Sequence, residues 1–134
     1  MPARYREVLT EMCEGQVIVT LDRDGCLLIY PKPEWLKIEK KIANLPSFND
    51  WAQDIKRLYI GHATECELDN QGRVLLPQLL RDRANLDKRA ILVGQVSKFE
   101  LWNEDTWNTG TTRRIHEKQE GKLTPPPEWG LISI

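Results

Sequence analysis

The chain has 134 residues, 40% hydrophobic and 29% charged, with a formal net charge of −1 and a pI near 6.1. That size bounds it to one compact domain or two small interlocked halves, and the near-neutral balance excludes attraction to nucleic acid by bulk charge alone. No segment approaches the ~20 apolar residues of a membrane span, and Cys13, Cys26 and Cys66 form no Cys-x-x-Cys pair, which argues against a disulfide framework or zinc site and for a reduced cytoplasmic protein.

The N-terminal residues carry no apolar run of the signal-peptide kind. Residues 2–9 read as a short helix with Pro2 in its first turn, where a missing N–H costs nothing. Residues 17–20 and 26–30 are short apolar strands joined by a turn at residues 22–25, in which Gly25 supplies positive φ. Residues 33–45 form an amphipathic helix, with Trp35, Ile38, Ile42 and Leu45 on one stripe and Lys37, Glu39, Lys40 and Lys41 off it. Asn49 or Asp50 caps the next helix, whose Trp51, Ile55, Leu58 and Tyr59 share a face. After Gly61 the period becomes that of a half-exposed strand: Thr64, Cys66 and Leu68 alternate with Glu65, Glu67 and Asp69. A turn at residues 69–72 leads into a return strand over 73–76, and Pro77 opens a helix to about Ala84. Residues 90–93 and 98–102 form a second strand pair, and Asn103 caps a short helix holding Trp107. Residues 111–120 predict a charged terminal helix ending at Gly121, and the tail from Lys122, with its three prolines, reads as extended or disordered.

Two stretches of the chain repeat one another. Residues 1–9, MPARYREVL, align with 76–84, LPQLLRDRA, placing Pro2 on Pro77 and Arg6 on Arg81. Downstream, Val17-Ile18-Val19 aligns with Ile91-Leu92-Val93, Tyr30 with Trp102, and Trp35 with Trp107. The repeats divide the chain into residues 1–60, residues 61–121 and a tail of 122–134. Residues 64–75 open the second repeat and have no counterpart in the first, so the first copy lacks its opening hairpin strand. Met1 stands where an apolar strand residue belongs, and the native gene product is expected to begin about a dozen to twenty residues earlier, the length of a hairpin.

Between Arg73 and Arg89 five cations face two anions, a local charge of +3. Asp69 and Arg73 flank the turn at Gly72. An aspartate there can accept turn N–H groups and orient the arginine, and an arginine projecting from a β-turn reaches phosphates or a guanine edge. The same five residues read equally as a turn held by an ion pair.

The full string DNQGRVLLPQLLRDRANL, followed by AILVGQVSKFELWNEDTW, resembles the MraZ family of bacterial transcription regulators. It is similar, more distantly, to the swapped-hairpin domain of the AbrB/SpoVT group. The matching residues are Asp69, Gly72, Arg73, Val74, Leu75, Leu76, Pro77, Leu80, Arg81, Ala84 and Leu86, then Val93-Gly94 and the strand from Phe99 to Trp102. The first repeat adds PARYREVL, DGCLLIYP and Glu34-Trp35. The resemblance implies an α+β, β-rich fold: a double-split β-barrel of two tandem swapped-hairpin repeats with short flanking helices. It implies a ring-forming homo-oligomer, nucleoid-associated in the cytoplasm. Such a protein binds direct repeats in promoter double-stranded DNA, including its own promoter in the division and cell-wall gene cluster. Arg73 falls on the family's main DNA-contacting arginine. Arg81 matches a basic position able to contact the backbone, Arg6 is its first-repeat counterpart, and Asp69 and Gly72 shape the turn. The alternative is a swapped-hairpin oligomerisation or protein-interaction module that does not bind DNA.

Nothing points to an enzyme, a cofactor or a metal. His62 and His116 lie far apart without a nucleophile beside them, and Glu65, Glu67 and Asp69 read as a solvated strand edge rather than a metal cluster. The tryptophans read mostly as core, the cysteines as buried small hydrophobes, and residues 113–118 as a solvated helix.

Overall fold

The central strands carry continuous apolar runs, VIVTL and LLIYP, because both of their faces are covered. In the computed structural model, which describes Pro2, Tyr5 and residues 14–119, β1 spans Gln16–Leu21 and β2 spans Leu27–Pro31. Helix α1 is Lys32–Ala43, α2 is Asp50–Ile55, and a π-helical turn follows at Lys56–Ile60. β3 is Thr64–Glu67, α3 is Gln78–Arg83, β4 is Ala90–Gly94, β5 is Phe99–Asn103 and α4 is Glu104–Gln119. The fold is α+β and sheet-rich. Five antiparallel strands lie in the order β3-β1-β2-β5-β4. The chain divides after Asn103 into two compact units, the sheet with its helices and the segment that contains α4.

One face of β1 and β2 presents Val17, Val19, Leu21, Leu27 and Ile29 to a core completed by Cys66, Leu80 and Ala84. The other face buries Ile18, Leu28 and Tyr30, and Trp35 of α1 packs on Tyr30 with ring centroids 5.5 Å apart and planes tilted by 57°. Trp35 stays satisfied there because its indole N–H donates to Glu39 Oε2 at 2.7 Å. The π-helical turn rotates Tyr59 toward β1. Thr20 Oγ1 donates to the Tyr59 carbonyl at 2.6 Å, and the Tyr59 hydroxyl donates to Asp22 Oδ1 at 2.5 Å. That second bond ties the β1–β2 turn to the helical segment. Asn49 caps α2 as expected, its Oδ1 accepting from Ala52 N–H at 3.2 Å.

The two hairpins, β1–β2 and β4–β5, meet along β2 and β5 in a short antiparallel ladder centred on Leu28 and Glu100. This centre is an internal pseudo-two-fold axis. It relates β2 to β5 and β1 to β4, so the tandem repeat becomes a symmetric pair. Elements cross between the halves. β3, from the second half, pairs with β1 of the first, Val17 opposite Cys66 and Val19 opposite Thr64. Leu80 of α3 is 2% exposed against the first half's strands. Tyr5, its first-repeat counterpart by the sequence alignment, does the reverse: its ring meets Phe99 edge-on at 4.8 Å.

The ladders correct one alignment. Ile18 pairs with Tyr30 and Ile91 with Trp102, so Ile18 corresponds to Ile91, and Val19, not Ile18, corresponds to Leu92. Leu92 accordingly packs on the core face with Val19. The slip arises because Gln95-Val96-Ser97-Lys98 is one residue shorter than the loop from Asp22 to Cys26, and a one-residue slip exchanges the two faces of a strand.

Three further expectations change. The return strand over 73–76 reduces to a single bridge between Leu68 and Val74; Pro77, with no N–H to give, ends the extended run and caps α3. The short helix at Trp107 and the charged terminal helix are one continuous helix, α4, in which Gly110 costs propensity without breaking the turn. Trp51 is 59% exposed rather than core. The predicted helix over residues 2–9, apart from Pro2 and a helical Tyr5, lies outside the described residues. So do Arg6, Cys13, Trp129 and the rest of the tail of 122–134.

Candidate nucleic-acid interface

The turn after β3 is built by Asp69. Its N–H donates to the Arg73 carbonyl at 2.9 Å, and its carbonyl accepts from Gly72 N–H at 3.0 Å. Gly72, at φ 75°, supplies the left-handed residue that closes a three-residue hairpin loop. The Asp69 carboxylate then fills the loop. Oδ1 accepts from the N–H groups of Gln71 at 2.9 Å and Arg73 at 2.8 Å, and Oδ2 accepts from Arg73 Nε at 2.8 Å. These bonds, led by the Arg73 backbone N–H, hold the Asp69 carboxyl below its ordinary value.

Arg73 itself stays at the surface, its side chain 72% exposed. The contact with Asp69 uses Nε, on the inner side of the guanidinium, so the carboxylate orients the group rather than enclosing it. Lys88, Arg89 and Arg83 are exposed on the helix and loop that follow.

The same turn occurs a second time. In the β1–β2 loop Asp22 N–H donates to the Cys26 carbonyl at 2.9 Å, Gly25 N–H donates to the Asp22 carbonyl at 2.9 Å, and Gly25 has φ 89°. Asp-x-x-Gly therefore makes this loop in both places. The residue after the glycine differs. Cys26 is fully buried, and its burial, reinforced by Asp22, pushes its thiol up to about 12. Arg73 is exposed. The Asp22 carboxylate faces Tyr59 and Cys26 instead of an arginine. The signal for this equivalence, Asp-x-x-Gly at 22–25 and again at 69–72, was present in the sequence.

Arg81 sits elsewhere in character. It lies on α3, half-buried, with Nη2 donating to Gln78 Oε1 at 2.5 Å. Its Nε is buried without a hydrogen-bond partner. It lines a concavity of about 400 Å³ with Leu76, Leu86, Asp87, Lys88, Ala90 and Leu101. Arg73 and Arg81 are thus held by separate partners. A Schellman-type end closes α3: Leu86 N–H donates to the Arg81 carbonyl at 2.9 Å and Asn85 takes φ 52°.

Among the described residues no group of three or more His, Cys, Asp or Glu side chains is arranged to hold a metal ion, and no helix is long and apolar enough to cross a membrane. His62 Nδ1 contacts the Leu58 carbonyl at 2.8 Å, a local helix-end bond.

Comparison with known proteins agrees with the internal symmetry. The family model described as "MraZ protein, putative antitoxin-like" matches twice, over residues 1–58 and 59–122. A "Transcriptional regulator MraZ" of Thioalkalivibrio sulfidiphilus is 55% identical over 90% of this chain and 80% of its own length. Proteins of the same name from Alkalilimnicola ehrlichii and Pseudomonas aeruginosa are 45% and 54% identical, over 99% and 81% of this chain and 88% and 72% of their own lengths. With both halves matched and identities of this size across most of its length, the chain belongs to the MraZ family.

Proposed function

We propose that this chain is a sequence-specific, DNA-binding transcription regulator and that Arg73 is its principal DNA contact. The observation that carries this is the contrast between the two Asp-x-x-Gly turns. The Asp22 turn closes with a buried cysteine in the following position, so the loop does not need an arginine there. Arg73 is an exposed guanidinium, pre-oriented by a carboxylate that is itself fixed by two backbone N–H groups. Such a group loses little freedom on binding a phosphate or a guanine edge. The local +3 charge from Arg73 to Arg89 supplies the field around it. The names of the relatives support regulation of transcription. Arg81 and Arg6 act as backbone-contacting or positioning groups, and the target is promoter double-stranded DNA with direct repeats, upstream of the division and cell-wall cluster and of the gene itself. The working form is a homo-oligomeric ring.

The test is an anisotropy titration of the gene's upstream duplex against scrambled duplex, for the protein and for Arg73→Ala, over a salt series. Specific affinity should fall with salt through counterion release. Arg73→Ala should lose about 1–3 kcal/mol per engaged site, the value of one good base contact. Equal affinity of both proteins for both duplexes refutes the assignment. A second reading, a protein-interaction module, draws on Leu75 and Leu79, 88% and 56% exposed beside the hairpin; in that case Leu75→Ser changes sedimentation while Arg73→Ala changes nothing.

A further inference from the structure

The tip of the Asp69 turn carries a second side chain that is placed as firmly as Arg73. The residues between Asp69 and Arg73 are Asn70, Gln71 and Gly72. One carboxylate oxygen, Asp69 Oδ1, accepts from the N–H of Gln71 at 2.9 Å and from the N–H of Arg73 at 2.8 Å. The backbone at Gln71 is therefore fixed in the same frame as the backbone at Arg73. Gln71 is exposed, and its side-chain amide makes no hydrogen bond with the described residues.

The Asp22 turn shows that the loop does not require glutamine at this position. Asp24 holds the matching place, its N–H donating to Asp22 Oδ2 at 3.2 Å. The bond common to both turns comes from the backbone, so the side chain is left to other uses. The two occupants differ in what they offer to DNA. A carboxylate at a loop tip repels phosphates, and the residue after the glycine of that turn is a cysteine. A neutral amide carries no such repulsion beside Arg73.

The amide has its own chemistry. It presents a donor and an acceptor side by side. Adenine offers the complementary pair in the major groove, its N6 amino group and N7, and glutamine spans both in a bidentate contact. The reach agrees. The Cα atoms of Gln71 and Arg73, two residues apart, are separated by at most about 7.6 Å, roughly two steps of stacked base pairs.

We propose that Gln71 is a specificity-determining residue whose amide reads an adenine in the major groove, within about two base pairs of the Arg73 contact. Nε2 donates to N7, and Oε1 accepts from the N6 amino group. The inference rests on the reading of Arg73 as the principal DNA contact: Arg73 holds the hairpin on the duplex, and Gln71 selects a base beside it.

The test is a competition panel made of the gene's upstream duplex and each single base-pair substitution of it. The panel is bound by the unaltered protein and by Gln71→Ala, Gln71→Glu, Asn70→Ala and Arg73→Ala. In the unaltered protein, substitution of one A·T pair should weaken binding about five- to 150-fold, the value of one bidentate base contact. Gln71→Ala abolishes that penalty and keeps the penalties at other positions. Gln71→Glu moves the preference at that pair from adenine to cytosine, whose N4 amino group donates to a carboxylate. A tip residue that is only solvated gives no such exchange. Asn70→Ala keeps the profile of the unaltered protein, and Arg73→Ala weakens binding to every duplex that carries the A·T pair. A profile that Gln71→Ala leaves unchanged, or that only Asn70→Ala alters, overturns this inference while Arg73-dependent binding stands. Equal affinity of the unaltered protein for every duplex overturns the reading of Arg73, and this inference with it.

Discussion

Leu79 and Leu80 are adjacent leucines on one short helix, and the fold predicts opposite fates for them. Leu80 is 2% exposed and lies in the core with Val17, Val19, Leu21, Leu27 and Ile29. Leu79 is 56% exposed. Leu80→Ala removes a buried isobutyl group from a core built largely on the hydrogen-bonded β1–β2 ladder, which collapses poorly around a cavity. The cost should be about 3 kcal/mol, inside the range for such truncations. For a cooperative unit of about 100 residues that lowers the midpoint by roughly 12–20 °C. Leu79→Ala should stay within about 0.5 kcal/mol. Thermal unfolding by circular dichroism measures both. The crossing of elements adds a sharper expectation. Leu80 comes from the second half but packs on strands of the first, so Leu80→Ala should speed amide exchange at Val17 and Val19 as much as in β4 and β5. Equal midpoint shifts for the two variants, or loosening confined to the second half, would refute the crossed packing.

Three other outcomes can be checked directly. The Asp69 carboxyl is held below its ordinary value of 3.8, so by linkage its contribution is present above that value and is lost as pH falls through the lower folded value. Protection of the Arg73 and Gln71 amides, relative to their intrinsic exchange, should therefore hold through the ordinary carboxylate range and be lost only at lower pH, whereas Asp69→Asn should lower that protection throughout. Val96, β-branched and fully exposed, sits at φ 64° in the β4–β5 loop; Val96→Gly relieves that strain and should raise stability by about 1 kcal/mol in urea unfolding, net of glycine's extra chain entropy. Burial pushes the Cys26 thiol up to about 12 and raises Cys66 as well. At pH 8 both should resist iodoacetamide in the folded protein and react on unfolding; prompt labelling of Cys26 in the native state would contradict its placement.

Much of this architecture was legible in the residues. The alternation from Thr64 to Asp69 identifies an edge strand because only one of its faces meets the core, and Cys66 is its buried member. Asn49 announces the α2 cap, and Gly25 and Gly72 mark the two left-handed turn positions. What was not legible depends on partners distant in sequence. Apolar runs such as VIVTL carry no parity, since β1 is buried on both faces, so aligning it with ILV by likeness left the register open by one residue. Only the ladders to Tyr30 and Trp102 close that choice. Residues 73–76 have strand-like composition but lack a continuous partner among the described residues. The π-helical turn follows from Tyr59 reaching Asp22 and Thr20, a contact across 37 and 39 residues that no local pattern contains.

The candidate site was half-legible for a related reason. Asp-x-x-Gly-Arg taken alone does not separate a structural turn from a binding loop, because one carboxylate serves both ends. The second copy of the turn separates them. At Asp22 the carboxylate is consumed by the fold: Tyr59 and Cys26 occupy it, and the chain beyond the glycine turns inward. At Asp69 the same carboxylate is turned to the outside and spent on an exposed guanidinium. The backbone bonds that close the loop are alike in number and length in the two turns. Turn formation therefore requires the aspartate and the glycine but places no demand on the next residue. What distinguishes the turns is what the carboxylate meets: the Tyr59 hydroxyl of the helical segment in the first, and the exposed Arg73 guanidinium in the second. Replacing Arg73 should accordingly leave the hairpin folded, and a folded Arg73→Ala protein makes a loss of DNA affinity attributable to the guanidinium itself.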